Sequence, residues 1–285
     1  MTIFTIVLEL DSGRREMRLD LDLERDRFIL DFLERGALYE PDVSTALLRI
    51  LRPGDTAVDV GANLGYFTML MAAITGPGGH VLSFEPGEDN VVRLADNVRL
   101  NAFDNVQVIP QPVSDRSGPV TFFLNSDVPG GHALWDPGAL DRNVRSKASP
   151  QPRNLLATTL DETLAEAGIP PPRVIKIDTE GAEHAVLKGA RSLLERHAVP
   201  FIIAELHGFG LEKLGSSQRS LRDYMAGFGY ETFGLYANGA LPKMFPRGTE
   251  IRSQWILNLL FSSPDDVASV WRFDDFDCGI IAAGN

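Results

Sequence analysis

Three short runs and one isolated acid hold the side chains able to do chemistry. Asp55 to Phe67 reads DTAVDVGANLGYF and carries a carboxylate, Asp59, ahead of Gly61, Asn63 and Gly65. Lys176 to Glu183 reads KIDTEGAE, with Asp178, Glu180 and Glu183 within six positions. Ile202 to His207 reads IIAELH and ends on Glu205 and His207, while Glu85 closes the apolar run VLSF. Carboxylates grouped in a crevice can share a proton, hold a metal, or act as a general base. His207 is a candidate base, and Asp178, Glu180 or Glu205 could do this work or position it. Other readings stand beside these. Asp178 and Thr179 can cap a following helix, and Glu180 and Glu183 can complement its dipole. Glu205-Leu206-His207 has no evident capping role. Lys176, inside an apolar run, is either a functional cation or one that reaches out at a strand edge.

The glycines are spaced Gly61-x-x-x-Gly65. A dinucleotide turn wants G-x-G-x-x-G, whose middle glycine lets the backbone approach a pyrophosphate. Asn63 takes that place here, and Asp59 before the turn would repel phosphates. A cationic ligand or an amine suits it better. S-adenosylmethionine carries a sulfonium and an α-amino group and no phosphate. Glu85, at the end of the next predicted strand, is placed to take both hydroxyls of a ribose. Ser114 and Asp115, just past a third predicted strand, are placed to reach an adenine ring. They read equally well as a plain turn before Gly118.

These residues need strand ends to hold them. Thr56 to Val60 is a valine-rich run typical of a strand buried on both faces. Phe67, Leu70, Met71 and Ile74 then recur at helical spacing. Strand, glycine turn, helix is the opening of a nucleotide-binding α/β domain. Further strands are predicted at Val81–Phe84, Val106–Val108, Val174–Ile177 and Phe201–Ala204, with late strands at Thr232–Tyr236 and Trp255–Phe261. One helix is expected to carry Ala182, Ala185, Val186 and Leu193. Before the glycine turn, Ile3–Leu10 and the alternating Met17, Leu19, Leu21 and Leu23 predict a hairpin. Two helices follow, the second opened by Pro41. Residues 1–52 are expected to pack on a core of 53–285. Val120–Leu124 predicts an extra strand, and Asn125–Arg153 a polar loop, inside an insertion over about 118–155 that lies at the active-site mouth. Thr159-x-x-Glu162 predicts a capping box.

The chain has 285 residues, 44% of them hydrophobic and 23% charged, and a formal net charge of −12. That charge argues against unaided binding to a phosphate backbone, so no nucleic-acid partner is expected. The single cysteine, Cys278, allows neither an intrachain disulfide nor a cysteine zinc site. The start of the chain lacks a signal-peptide pattern and no stretch is long enough to span a bilayer. A cytoplasmic protein acting on a small molecule without a membrane is the expectation.

Together DVGANLGYF, FEP (Phe84–Pro86), PVSD (Pro112–Asp115), TLDE (Thr159–Glu162), KIDTEGAEHAVLKGA (Lys176–Ala190) and IIAELH resemble the FkbM family of S-adenosylmethionine-dependent methyltransferases. The resemblance implies a Rossmann-like class I methyltransferase fold, a seven-stranded mostly parallel sheet whose last strand is antiparallel. It implies O-methylation of hydroxyls on sugars or polyketides. It supports Asp59, Gly61, Asn63, Gly65 and Glu85 as cofactor contacts, and it marks Asp178, Glu180, Glu183 and Glu205 as family positions without assigning roles. Asp178 and Glu205 occupy strand ends where some oxygen methyltransferases carry Mg²⁺, so a divalent metal stays open. Two other functions stand beside this one: a module that binds S-adenosylmethionine without turnover, and an NAD-dependent oxidoreductase, which the missing middle glycine disfavours.

Overall fold

The computed structural model describes residues 2–10, 12–253, 256–271 and 280–283. Trp255 and Cys278 lie outside them. The chain opens with β1 (Thr2–Leu10) and β2 (Gly13–Leu21), the predicted antiparallel hairpin. Met17, Leu19 and Leu21 turn inward and are fully buried, as period-two alternation demands of a strand with one dry face. Helices α1 (Arg27–Leu33) and α2 (Pro41–Ile50) follow, with Pro41 in the first turn of α2. Then come β3 (Thr56–Val60), α3 (Tyr66–Thr75), β4 (His80–Phe84), α4 (Glu88–Asn101) and β5 (Val106–Ile109). All five residues of β3 and all ten of α3 are buried. A strand covered on both faces and a helix packed all round are what an unbroken apolar run produces.

The middle of the chain leaves the sheet. β6 (Gly118–Leu124) pairs antiparallel with β7 (Gln151–Ala157), with the short helix α5 (Val144–Ala148) between them. The predicted loop thus ends at the base of a two-stranded ribbon, and β7 takes its last residues. Gln151–Ala157 alternates weakly and is mostly exposed, so its pairing with β6 is a long-range fact that local pattern does not encode. The chain returns through α6 (Leu160–Ala167), β8 (Val174–Ile177), α7 (Glu183–Lys188), α8 (Arg191–Glu195) and β9 (Phe201–Leu206). Thr159 Oγ1 accepts from Glu162 N at 3.1 Å, half of the predicted capping box. The Glu162 carboxylate turns instead to the Ser117 hydroxyl. The single helix expected after Asp178 is two, α7 and α8, broken at Gly189-Ala190. A Cβ at Gly189 would stand 2.1 Å from the Ser114 carbonyl oxygen, so the break lets another segment approach.

The chain closes with α9 (Gly208–Lys213), α10 (Gln218–Gly227), β10 (Glu231–Gly234), β11 (Lys243–Phe245), β12 (Leu257–Ser262), α11 (Pro264–Val270) and β13 (Ile280–Ala283). The main sheet has eight strands in the order β11-β10-β12-β9-β8-β3-β4-β5. β9, β8, β3, β4 and β5 are mutually parallel, and β12 runs antiparallel to both neighbours. Seven of these strands match the expected arrangement, including its antiparallel last strand. The eighth, β11, is a three-residue edge piece too short to show periodicity. β13 pairs with β1 and makes the N-terminal hairpin a three-stranded sheet. Residues of that hairpin, α1, α2 and α3 share one hydrophobic cluster. Two side chains of α4 tie β2 down. Asn101 Oδ1 accepts from Arg18 N and its Nδ2 donates to Arg18 O, while Asn97 Oδ1 accepts from Asp20 N and its Nδ2 donates to Leu64 O in the glycine turn. The strand order reverses between β3 and β8, and a ligand crevice forms at the carboxyl ends beside such a switch.

Candidate active site

At that switch the β3–α3 turn is built by contact. Gly61 has φ +85°, and a Cβ there would sit 1.7 Å from the Asp178 carbonyl oxygen. Only glycine lets the end of β3 press on the end of β8. Gly65, at φ +98°, would meet Leu94 of α4 at 2.5 Å. Asn63 is left-handed, at φ 51°, a conformation asparagine tolerates. Its N–H donates to Glu85 Oε2 at 2.8 Å. Glu85 Oε1 accepts from Gly87 N at 2.8 Å and from Asn90 Nδ2 at 3.5 Å. The carboxylate is therefore aimed by backbone donors from two turns. Burial pushes its pKa up to about 7 against those hydrogen bonds.

Asp59 lies behind the turn. The sequence reading gives it the methionine part of the cofactor, but it is fully buried and absent from the crevice lining. Its Oδ2 accepts from Thr68 Oγ1 at 2.7 Å, and its Oδ1 has no hydrogen-bond partner. Thr68 of α3 holds that carboxylate under the turn, away from the crevice. Burial raises its pKa, and Lys176 opposes that shift. Lys176 is itself 2% exposed; its Nζ is 3.0 Å from Asp178 Oδ2 and 4.5 Å from the centroid of the Phe67 ring. Burial disfavours its charge, but Asp178, Asp59 and Glu40 raise its pKa above the ordinary lysine value. So Lys176 does not reach out at a strand edge. It is the buried counter-charge of the acidic floor.

Glu180 and His207 meet where β8 and β9 end. Glu180 Oε2 stands 3.2 Å from His207 Nε2. His207 Nδ1 accepts from Gly210 N at 2.9 Å, capping α9. A capping role for this histidine was not expected, because the bond runs back from a residue three positions on. It fixes the neutral tautomer with the proton on Nε2, facing Glu180. Burial lowers the His207 pKa further. Glu180 has φ 56°, and its own carbonyl accepts from Trp135 Nε1 at 2.6 Å. The Trp135 ring stacks on His207, 5.9 Å between centroids at 30°. Burial, then Asp178 and Glu183, raise the Glu180 pKa to about 8, while Arg142 opposes them. Gly181 permits this junction, since a Cβ on it would lie 2.3 Å from the Gly210 carbonyl carbon.

The two remaining acids differ in kind. Glu183 is fully buried, and its Oε1 accepts from Thr179 N, Thr179 Oγ1 and Gly181 N. It locks the loop after β8, a role the sequence reading did not give it. Glu205 Oε2 is buried with no hydrogen-bond partner. Burial and the charges of Asp178, Glu180, Glu183 and Glu40 raise its pKa well above the ordinary value. Asp178 spends Oδ2 on Lys176. Among the described residues no three His, Cys, Asp or Glu side chains are grouped to hold a metal ion.

The crevice beside Gly61 encloses about 620 Å³ of empty space, counting its open mouth. Asn63, Glu85, Asp178 and Thr179 line it. Gln111, Pro112 and Val113 line its far wall. Ser114 and Asp115 do not. The Ser114 N–H donates to Thr158 O, and its carbonyl faces Gly189. The chain has already turned toward β7 at that point, so the segment facing the crevice lies one to three residues earlier. Gly130, His132, Ala133 and Leu134 of the insertion form another wall. None of these was singled out in sequence, and only the length and polarity of the insertion signalled a role. A second opening, lined by Leu140, Arg142, His207 and Phe209, reaches His207. A larger cavity lies between α10, β10 and residues 247–253 and 256–257, and shares Gly208 and Ile256 with the second opening. There Arg222 spends its donors on Thr232 and on the carbonyls of Phe245, Pro246 and Thr249.

A mostly parallel sheet with an antiparallel β12, a glycine turn after its central strand and an acid ending the next fit a class I methyltransferase. The chain belongs to the FkbM family: the methyltransferase FkbM domain matches residues 59–232. It is 31% identical to hexuronic acid methyltransferase AglP of Haloferax volcanii over 71% of this chain and 79% of that protein. It is 31% identical to 31-O-demethyl-FK506 methyltransferase FkbM of Streptomyces tacrolimicus over 55% of this chain and 67% of that one. With 2-O-methyltransferase NoeI of Sinorhizobium fredii it shares 25% identity over 70% of this chain and 78% of that one. The protein is a methyltransferase, which disposes of the oxidoreductase reading. No helix among the described residues is long and apolar enough to cross a membrane.

Proposed function

We propose that this chain transfers the methyl group of S-adenosylmethionine to a hydroxyl oxygen of a small acceptor such as a sugar, a polyketide or another secondary metabolite. The observation that carries the proposal is the Glu180–His207 pair, whose histidine lines a second opening and whose glutamate follows Asp178 and Thr179 of the crevice that holds Glu85. The relatives' names support oxygen as the acceptor atom, in a 2-O- and a 31-O-methyltransferase. A net charge of −12 argues against a nucleic-acid acceptor.

The crevice residues fit the donor. Glu85 would hold the ribose hydroxyls, Gln111 to Val113 would flank the base, and the Gly61–Asn63 turn with Asp178 would hold the methionine part. S-adenosylmethionine supplies a methyl carbon already activated by the sulfonium charge. What is left for the protein is alignment and removal of one proton. His207 is not free to take it, because Nδ1 is engaged by Gly210 and Nε2 already carries hydrogen. Glu180 is free. Its pKa near 8 makes it a stronger base than an ordinary carboxylate, and a bound cation draws it toward ionisation. The acceptor hydroxyl gives its proton to Glu180 as its oxygen takes the methyl group, and His207 Nε2–H steadies the carboxylate before that. No step is assigned to a divalent metal.

Calorimetric titration tests the cofactor assignment. S-adenosylmethionine and S-adenosylhomocysteine are expected to bind at roughly micromolar Kd, about −8 kcal/mol, and NAD not at all. Glu85→Ala should abolish binding. Failure of both ligands to bind the wild-type protein, or unchanged affinity in the variant, would overturn the assignment.

A further inference from the structure

One ring in the insertion stands beside the carboxylate assigned to the ribose. His132 lines the same crevice as Glu85. Its Nδ1 accepts from Asn125 N at 2.9 Å, which places the proton of the neutral ring on Nε2. Burial, helped by Arg25, pushes its pKa down to about 4, so the ring is neutral at pH 7. Phe122 meets it edge-on at 6.0 Å and 81°. With Nδ1 tethered and one face braced, the direction of Nε2–H is fixed.

Gly87 shows what stands beside that edge of the ring. A Cβ on that glycine would lie 2.9 Å from Glu85 Oε1, 2.9 Å from His132 Cδ2 and 3.5 Å from His132 Nε2. Carboxylate and ring therefore face one small space that a side chain at position 87 would fill. No protein group among the described residues pairs with Nε2. Asn90 joins the two sides, donating toward Glu85 Oε1 at 3.5 Å and to Pro129 O of the insertion at 3.4 Å. The chemistry is complementary. An ionised Glu85 only accepts, so a hydroxyl bound to it donates its hydrogen and keeps lone pairs in need of a donor. His132 Nε2–H is a donor at that place.

We propose that His132 is a cofactor-binding residue, its Nε2–H acting with Glu85 to hold the ribose diol of the nucleoside. The insertion is then part of the cofactor site and not only of the acceptor mouth. This rests on the S-adenosylmethionine reading above.

The test is calorimetry with S-adenosylhomocysteine and its 2′-deoxy and 3′-deoxy counterparts, on the full chain. His132→Asn keeps an acceptor near Nδ1 for Asn125 N and removes the Nε2 donor. His132→Gln does the reverse. His132→Asn should weaken S-adenosylhomocysteine about five- to tenfold, the scale of one hydrogen bond. His132→Gln should weaken it less. Against the deoxy ligand that lacks the contacted hydroxyl, the effect of His132→Asn should vanish. In wild-type protein, the histidine ¹⁵Nε2 resonance that His132→Gln removes should move on adding S-adenosylhomocysteine and stay still on adding methionine. That readout holds even if His132→Asn does not fold. Equal binding by wild type and His132→Asn overturns the inference, as does an equal loss for all three ligands or an unmoved resonance. Failure of the wild-type protein to bind S-adenosylhomocysteine is a different result, and it overturns the cofactor reading itself.

Discussion

Glu180 sits in a left-handed backbone conformation, φ 56°, which costs a residue with a Cβ on the order of 1 kcal/mol or more. The Trp135 bond to its carbonyl and the packing of Gly181 on Gly210 hold it there. That strain aims its carboxylate at His207. Replacing the carboxylate while keeping its shape separates chemistry from position. Glu180→Gln is expected to lower kcat about 10²- to 10⁴-fold, the scale of a general base, with S-adenosylhomocysteine affinity held within about twofold. Stopped turnover assays and calorimetry on one preparation check it. A parallel loss of affinity would mean that Glu180 shapes the site and does not take the proton. Residue types alone brought Asp178, Glu180, Glu205 and His207 into one group. They could not rank them, because the ranking depends on which lone pairs the fold leaves free. Nδ1 of His207 is claimed by a backbone N–H and Oδ2 of Asp178 by Lys176, while Glu205 Oε2 is buried without a partner.

At the scale of elements, the junction of β3 and β8 is the tightest in the site. Gly61→Ala would put a methyl 1.7 Å from the Asp178 carbonyl oxygen at a φ of +85°. It should destabilise the protein by about 2 kcal/mol or more, through left-handed strain and a forced backbone shift. Gly208→Ala, with open space around it, should change stability by less than about 0.5 kcal/mol. Urea midpoints of the two variants decide whether close approach or general glycine loss is at work. The same junction explains what was readable. The strand, turn and helix from Thr56 to Thr75 are legible because a buried strand, a glycine and a 3.6-residue period each leave a local mark. The β6–β7 ribbon is not, because its pairing joins Gly118 to Ala157 across an intervening loop. The displacement of the crevice wall from Ser114 to Gln111–Val113 depends on where the chain turns toward β7, and β13 joins β1 from the far end of the chain. His132 is invisible for the same reason as the ribbon that carries it.

For the whole molecule, buried carboxyls set the response to pH. Burial raises Glu40 to about 6, Glu85 and Glu183 to about 7 and Glu180 to about 8, and it raises Glu205 in the same direction. A carboxyl raised in the folded state keeps its proton after the unfolded chain has lost it, so stability falls as pH rises between the two values. Histidines act the other way. Burial lowers His132 and His184 to about 4, and stability rises with pH between there and the unfolded value near 6.5. The two effects oppose one another below about pH 6.5, and above it the carboxyls act alone. The Tm of the unliganded protein should therefore fall from about pH 6.5 to 8.5, measurable by scanning calorimetry, and a flat or rising profile would contradict the protonated cluster. The asparagines of α4 bear on the molecule's behaviour in a crowded solution. A hairpin whose outer strand shows free N–H and C=O groups invites another chain to add a strand, which is how soluble β-proteins begin to aggregate. Here Asn97 and Asn101 already occupy the N–H groups of Arg18 and Asp20 and the carbonyl of Arg18. The helix that braces the cofactor turn thus also serves as a gatekeeper, closing that edge to fibre-like stacking of one copy on the next.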